Sequence, residues 1–303
     1  MCRWHTPWVL LGVGLPLFAQ TSLQVFRTAF KTNADLVLVP VTVTDHKGGI
    51  VNGLSANAFH VFDDRISERI FSFSEEDVPT SIGVILDMSG SMKATLSQAK
   101  FALRSFLDTE NPEDEAFLYS VSSRPRRNAG FTNDMDTLLS GVALSDAQGS
   151  TALIDTIYCG LDTMRSARRP RKALLIISDG MDNHSRYSRT ELLERALESD
   201  VQIFTIAIYS APAYEKPIQL QEARRGLSLL EELAAKTGGL HFIIRDSEDI
   251  GHAATSISRA IRNEYTIAYV PGNSTRDGRW HAIEVKLGVS GLRVYARAGY
   301  YAQ

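Results

Sequence analysis

The chain has 303 residues, of which 44% are hydrophobic and 22% charged, and its formal net charge is −3. That length accommodates one large domain and a smaller one, and the apolar share is enough for a sizeable core. So mild an acidic balance argues against a nucleic-acid binder and against a protein held to anionic membranes by charge.

Residues 1–19 have the pattern of a secretory signal peptide. Arg3 is followed by a short apolar stretch from Pro7 to Phe18 and then by Ala19. The stretch is too short for an ordinary membrane-spanning helix and is interrupted by Gly and Pro. Export to the periplasm, cell surface or medium is therefore expected, with a mature chain beginning near Gln20 and no transmembrane helix in it. Cys2 would leave with the peptide, and Cys159 is expected to be a buried small hydrophobe in a helix.

Residues 21–78 read as a small β region. Val recurs at alternate positions between Asp35 and Thr44, and strands are predicted around 59–62 and 70–73, separated by an Asp63-Asp64-Arg65 turn. From residue 79 to 263 the pattern becomes alternating strand and helix. Strands are predicted at 81–87, 116–121, 172–178, 201–208 and 240–244, with a short one near 126–131. Helices are predicted at 93–107, 134–140, 152–165, 189–198, 225–236 and 247–262, with Ser188 and Glu191 at capping-box spacing. Such alternation implies an α/β domain with a doubly wound, mainly parallel sheet. The basic run Arg165, Arg168, Arg169, Arg171 and Lys172 is expected to be a solvated turn.

Residues 264–303 return to strands, at 265–270, 280–287 and 292–298, with turns at Pro271-Gly272-Asn273 and Asp277-Gly278. Neither terminal β region can bury a core alone. Together they have the size of a sandwich, so the α/β domain is expected to be inserted into a small β-sandwich built from both chain ends.

Three segments of the α/β domain carry the chemistry. The apolar run Ile82 to Leu86 ends in Asp87-Met88-Ser89-Gly90-Ser91, Gly149-Ser150-Thr151 leads into a helix, and the apolar run Leu174 to Ile177 ends in Ser178-Asp179-Gly180. Asp87, Ser89 and Ser91 can bend round one point and offer hard oxygen ligands, which suits Mg²⁺ or Mn²⁺ better than Zn²⁺. These segments resemble the metal-ion-dependent adhesion site of von Willebrand factor type A domains, whose five positions are matched by Asp87, Ser89, Ser91, Thr151 and Asp179. With Val41-Thr42-Val43-Thr44-Asp45, Tyr269-Val270-Pro271 and Arg297-Ala298-Gly299-Tyr300-Tyr301 at the ends, the chain is similar to a family of secreted bacterial proteins related to that domain. The resemblance implies a Rossmann-like sheet holding Mg²⁺ (or Mn²⁺, with Ca²⁺ behind them), and an open coordination position that takes a carboxylate from a protein partner.

Asp182, Asn183 and His184 follow Asp179 and are expected to line the rim where a partner docks. The expected function is an exported, metal-dependent protein-binding module of the adhesion type. It is not expected to be an enzyme or to bind nucleic acid or a small-molecule substrate. The alternative is a metal-assisted hydrolase using Asp87, Asp179 and His184, and a third reading is a scaffold whose metal only stabilises the fold. The seven histidines show no His-x-x-x-His spacing and there is no Cys-x-x-Cys, so no zinc site is expected.

Overall fold

The structure is a computed structural model of the full chain, and it describes residues 36–109, 111–209, 217–246, 248–272 and 277–302. The predicted signal segment, Ser247 and Asn273 lie outside the described residues. Among the described residues, no helix is long and apolar enough to cross a membrane.

The α/β domain is built on a six-stranded sheet. Its strands are β5 (Thr80–Asp87), β6 (Glu115–Val121), β7 (Arg126–Thr132), β8 (Arg171–Ser178), β9 (Gln202–Ile208) and β10 (His241–Ile244), in the order β10-β9-β8-β5-β6-β7. All neighbours pair in parallel except β6 with β7, which are antiparallel at one edge. Every residue of β5 is buried, which is why it reads as an unbroken apolar run and not as an alternation.

The helices are α1 (Leu96–Leu107), α2 (Met135–Ala143), α3 (Leu153–Thr163), α4 (Arg189–Glu198), α5 (Pro217–Thr237) and α6 (Asp249–Arg262). Residues of α1, α2 and α6, such as Phe106, Leu138 and Ile257, pack on one face of the sheet. Residues of α3, α4 and α5, such as Ile157, Leu192 and Leu230, pack on the other. The capping box of α4 forms as the sequence predicts, with the Ser188 side chain accepting from the Glu191 N–H. Two predicted helices are tighter at one end: a 3₁₀ turn at Gly90–Ala94 precedes α1, and another at Met164–Ser166 follows α3. The helix predicted at 225–236 is longer, spanning Pro217–Thr237 among the described residues. Cys159 is only partly buried, so it is not the core hydrophobe its helical position suggests.

The chain ends form two four-stranded antiparallel sheets. One has the order β13-β1-β11-β4, from β1 (Val37–Thr44), β4 (Ile70–Glu75), β11 (Tyr265–Tyr269) and β13 (Arg293–Ala296). The other has the order β14-β12-β2-β3, from β2 (Phe59–Asp63), β3 (Ile66–Glu68), β12 (Trp280–Leu287) and β14 (Gly299–Tyr301). Each sheet mixes strands from both ends, and Val39, Val41, Val61, Ile267 and Ile283 share one core. The α/β domain is thus inserted into a sandwich that neither end completes alone. The short strands β3 and β14 escape the sequence reading because three residues carry too little alternation.

The basic run is not simply a solvated turn. Arg171 is largely buried, and its Nε lies 2.7 Å from Oε1 of the buried Glu264. Its two terminal nitrogens donate to the Ile261 carbonyl at 3.0 Å and to the Glu76 carbonyl at 2.9 Å. One guanidinium therefore ties both crossings between sandwich and α/β domain to the base of β8. Burial outweighs the attraction of Arg171 and pushes the Glu264 carboxyl up to about 7.

Candidate metal centre

The sheet order determines where loops diverge. The chain starts the α/β sheet at β5, extends to β6 and β7 on one side, and then returns to place β8 on the other side of β5. The crevice at the carboxyl ends of β5 and β8 is a topological switch point, where open α/β sheets bind ligands. Asp87 ends β5 and Asp179 follows β8 directly. The two strands are adjacent, with Leu86 level with Ile177, so both carboxylates come to the same edge.

Asp87 and Ser89 are fully buried, and Thr151 and Asp179 nearly so, while Ser91 is partly exposed. Oδ1 of Asp87 accepts from the Ser89 N–H at 2.9 Å. Its Oδ2 accepts from the Ser178 hydroxyl at 2.5 Å. Ser178 also accepts from the Gly180 N–H at 2.9 Å, so it ties the end of β5 to the turn after β8. Sequence reasoning passed over Ser178, which is visible only as a small polar residue closing an apolar run. The Ser89 and Ser91 hydroxyls lie 3.0 Å apart. Ser89 occupies the N-cap of the 3₁₀ turn but its side chain makes no capping bond, so its oxygen is not spent on the helix.

Backbone hydrogen bonds seat the neighbouring loops. Met88 donates to the Val121 carbonyl at 3.1 Å, Gly90 to Gly149 at 3.0 Å, and Gln148 to Met88 at 3.0 Å. Thr151 is held from the opposite side, since its N–H donates to Asn183 Oδ1 at 2.9 Å and its carbonyl accepts from the Asn183 and His184 N–H groups. Asp182 Oδ1 accepts from the Ser185 hydroxyl at 2.5 Å and from the Ile154 N–H at 3.3 Å, capping the start of α3 from another segment. The Asp182 and Asn183 side chains thus position the Thr151 loop, while Asn183 and His184 remain exposed at its edge.

The two carboxylates are buried close together. Burial first, and then the negative charge of Asp179, push the Asp87 carboxyl up to about 7. Asp87 forms no ion pair among the described residues. Two carboxylates and two hydroxyls make a hard oxygen set, and a divalent ion there would offset both buried charges. A folded-state value raised from 3.8 to about 7 means that the stability contribution of Asp87 is complete below pH ~4 and is lost as the pH rises through about 7. An ion bound to the ionised pair would reverse that loss. Mg²⁺ binding is therefore expected to be about tenfold weaker at pH 6 than at pH 8, because protons compete for the same oxygens. Calorimetric titration at the two pH values checks this, and equal affinities would remove Asp87 from the ligand set.

A second group of possible metal ligands, Asp63, Asp64 and His281, lies in the sandwich. Sequence reasoning placed Asp63 and Asp64 in a turn and did not single out His281, since 217 positions separate it from Asp64.

Residues 82–181 match the sequence profile of the von Willebrand factor type A domain. An uncharacterized protein of Borreliella burgdorferi is 22% identical over 197 residues, covering 59% of this chain. The match spans 58% of the length of that relative. Among solved structures, a von Willebrand factor type A protein from Catenulispora acidiphila is similar over 89% of this chain and 75% of its own, at 12% identity and a TM-score of 0.52. An aerotolerance-related membrane protein from Bacteroides fragilis is similar over 60% of this chain and 98% of its own, at 16% identity and a TM-score of 0.48. The chain carries a von Willebrand factor type A domain.

Proposed function

We propose that this chain is an exported adhesion-type module whose metal centre holds Mg²⁺ or Mn²⁺ and captures a carboxylate of a partner protein. The observation that carries the reading is the meeting of two paired serine hydroxyls with two buried carboxylates at the switch point. In this reading Ser89 and Ser91 ligate the ion, and Asp87, Thr151 and Asp179 ligate it or hold its waters. Mg²⁺ retains water wherever the protein supplies fewer than six oxygens, and an acidic side chain of the partner would replace one such water. Asp182, Asn183 and His184 would form the rim against which the partner rests. The work of the site is binding, not turnover, and the apolar segment before Ala19 supports export.

Ser89→Ala tests the reading. It is expected to weaken Mg²⁺ binding about 10–100-fold, the range seen when a metal site loses a supporting interaction. The melting temperature in chelator should change little, because the hydroxyl caps no helix. Capture of a partner from an envelope extract should require Mg²⁺ and fail for the variant. Mg²⁺ affinity unchanged by Ser89→Ala would overturn the metal centre. Capture that ignores both chelator and variant would place the binding surface elsewhere, and turnover of a substrate lost in the variant would favour a hydrolase.

A further inference from the structure

Asp63 closes β2, and Asp64 follows it with Arg65 in left-handed backbone conformation (φ 47° and 70°), the tight turn into β3. His281 stands on β12, which pairs with β2 so that Ile283 is level with Asp63. This brings three ligand atoms together from the two ends of the chain. His281 Nδ1 lies 3.1 Å from Asp64 Oδ2 and 3.6 Å from Asp63 Oδ1. The other oxygens are already engaged. Asp63 Oδ2 accepts from the Tyr269 and Tyr300 hydroxyls at 2.8 and 3.0 Å, and Asp64 Oδ1 accepts from the Ala282 N–H at 2.9 Å. One carboxylate oxygen of each Asp thus lies close to the same imidazole nitrogen.

The His281 ring is itself held in place. It is 7% exposed and stacks on the Tyr300 ring at a centroid distance of 5.3 Å. Its Nε2 is buried without a hydrogen-bond partner, and Asp277 Oδ1 lies 3.5 Å from it.

We propose that Asp63, Asp64 and His281 form a second metal site, for a divalent ion of the zinc class, which clamps the β2–β3 turn to β12. An ion about 2.1 Å from the three atoms would see the imidazole and the two carboxylates at angles of about 95° and about 120°, within reach of four- or five-coordinate zinc. The imidazole sets this site apart from the all-oxygen centre of the α/β domain, because nitrogen ligation favours Zn²⁺ over Mg²⁺. The Asp64 side chain is half exposed, which provides an entry path from solvent, and water would fill the remaining positions. Because the ligands come from both halves of the sandwich, the ion would cross-link the chain around the inserted domain.

Zn²⁺ and Mg²⁺ are titrated separately into the full chain, into a Ser89→Ala/Ser91→Ala variant, and into Asp64→Asn and His281→Gln variants, with circular dichroism in chelator confirming that each is folded. The serine double variant is expected to keep one Zn²⁺ per chain and the rise in melting temperature that accompanies it. Asp64→Asn and His281→Gln are each expected to lower Zn²⁺ affinity about 10–100-fold while Mg²⁺ binding is unchanged. Asp64→Asn keeps the shape of an exposed side chain, so it remains informative if His281→Gln does not fold. An anomalous-scattering peak between the three side chains in zinc-soaked crystals would confirm the position. Zinc that binds equally well to Asp64→Asn, or that disappears with Ser89 and Ser91, would overturn the site.

Discussion

Arg171→Met is expected to destabilise the protein by about 3–5 kcal/mol at pH 8, the cost of removing one partner from a buried ion pair. The Glu264 side chain is 2% exposed and would be left as a buried, uncompensated carboxylate. The same change deletes the hydrogen bonds to the Ile261 and Glu76 carbonyls, so both connections to the sandwich loosen together. The cost depends on pH in a definite direction. The Glu264 carboxyl is already raised from 4.5 to about 7, so its stability contribution is full below pH ~4.5 and is lost as the pH rises through about 7. Removing the guanidinium takes away an influence that lowers the value, and at pH 6 the Glu264 carboxyl is mostly protonated in parent and variant alike, so no buried charge is left there. Urea denaturation at pH 6 and pH 8 should therefore show a smaller loss at pH 6. A loss below about 1 kcal/mol at both pH values would mean that the pair is not desolvated in solution.

Gly226→Ala is expected to destabilise by about 3 kcal/mol or more, the upper range for forcing atoms into a filled space. In an exposed helix the same change would stabilise by about 1 kcal/mol. Here the sign reverses because α5 passes the site loop with backbone against backbone. A Cβ on Gly226 would lie 2.0 Å from the Gly180 carbonyl oxygen and 2.3 Å from its carbon. Gly180 cannot yield easily, since its own φ is +80° and a Cβ there would meet Gly226 at 2.6 Å. Any retreat moves the residue next to Asp179, so Mg²⁺ affinity should fall together with stability. Gln221→Ala, at an exposed position of the same helix, is the control and should change neither. A Gly226→Ala protein that melts higher than the parent would mean that the helix stands further from the loop than the structure places it.

Local pattern determined a good deal of this molecule. The apolar runs ending at Asp87 and at Ser178 mark two buried strands, because a strand covered on both faces has no polar alternation to lose. The alternation of strand and helix from residue 79 onward implied the doubly wound sheet, and two β regions each too small for a core implied that they share one. The spacing of Asp87, Ser89 and Ser91 set three oxygens round one turn. In each case the information lies within a few residues or in the period of hydrophobicity.

What only the tertiary structure decided are the pairings between distant residues. That β8 lies beside β5, bringing Asp179 toward Asp87, follows from sheet order and not from any spacing. Arg171 looked like one of several basic residues in a turn, yet packing turned it inward onto Glu264. Ser178, the contact of Gly226 with Gly180, and the meeting of His281 with Asp63 and Asp64 left no periodic trace either. A hydrophobic period states which face of an element is buried. It does not state which partner waits there, because that depends on how whole elements fit against one another.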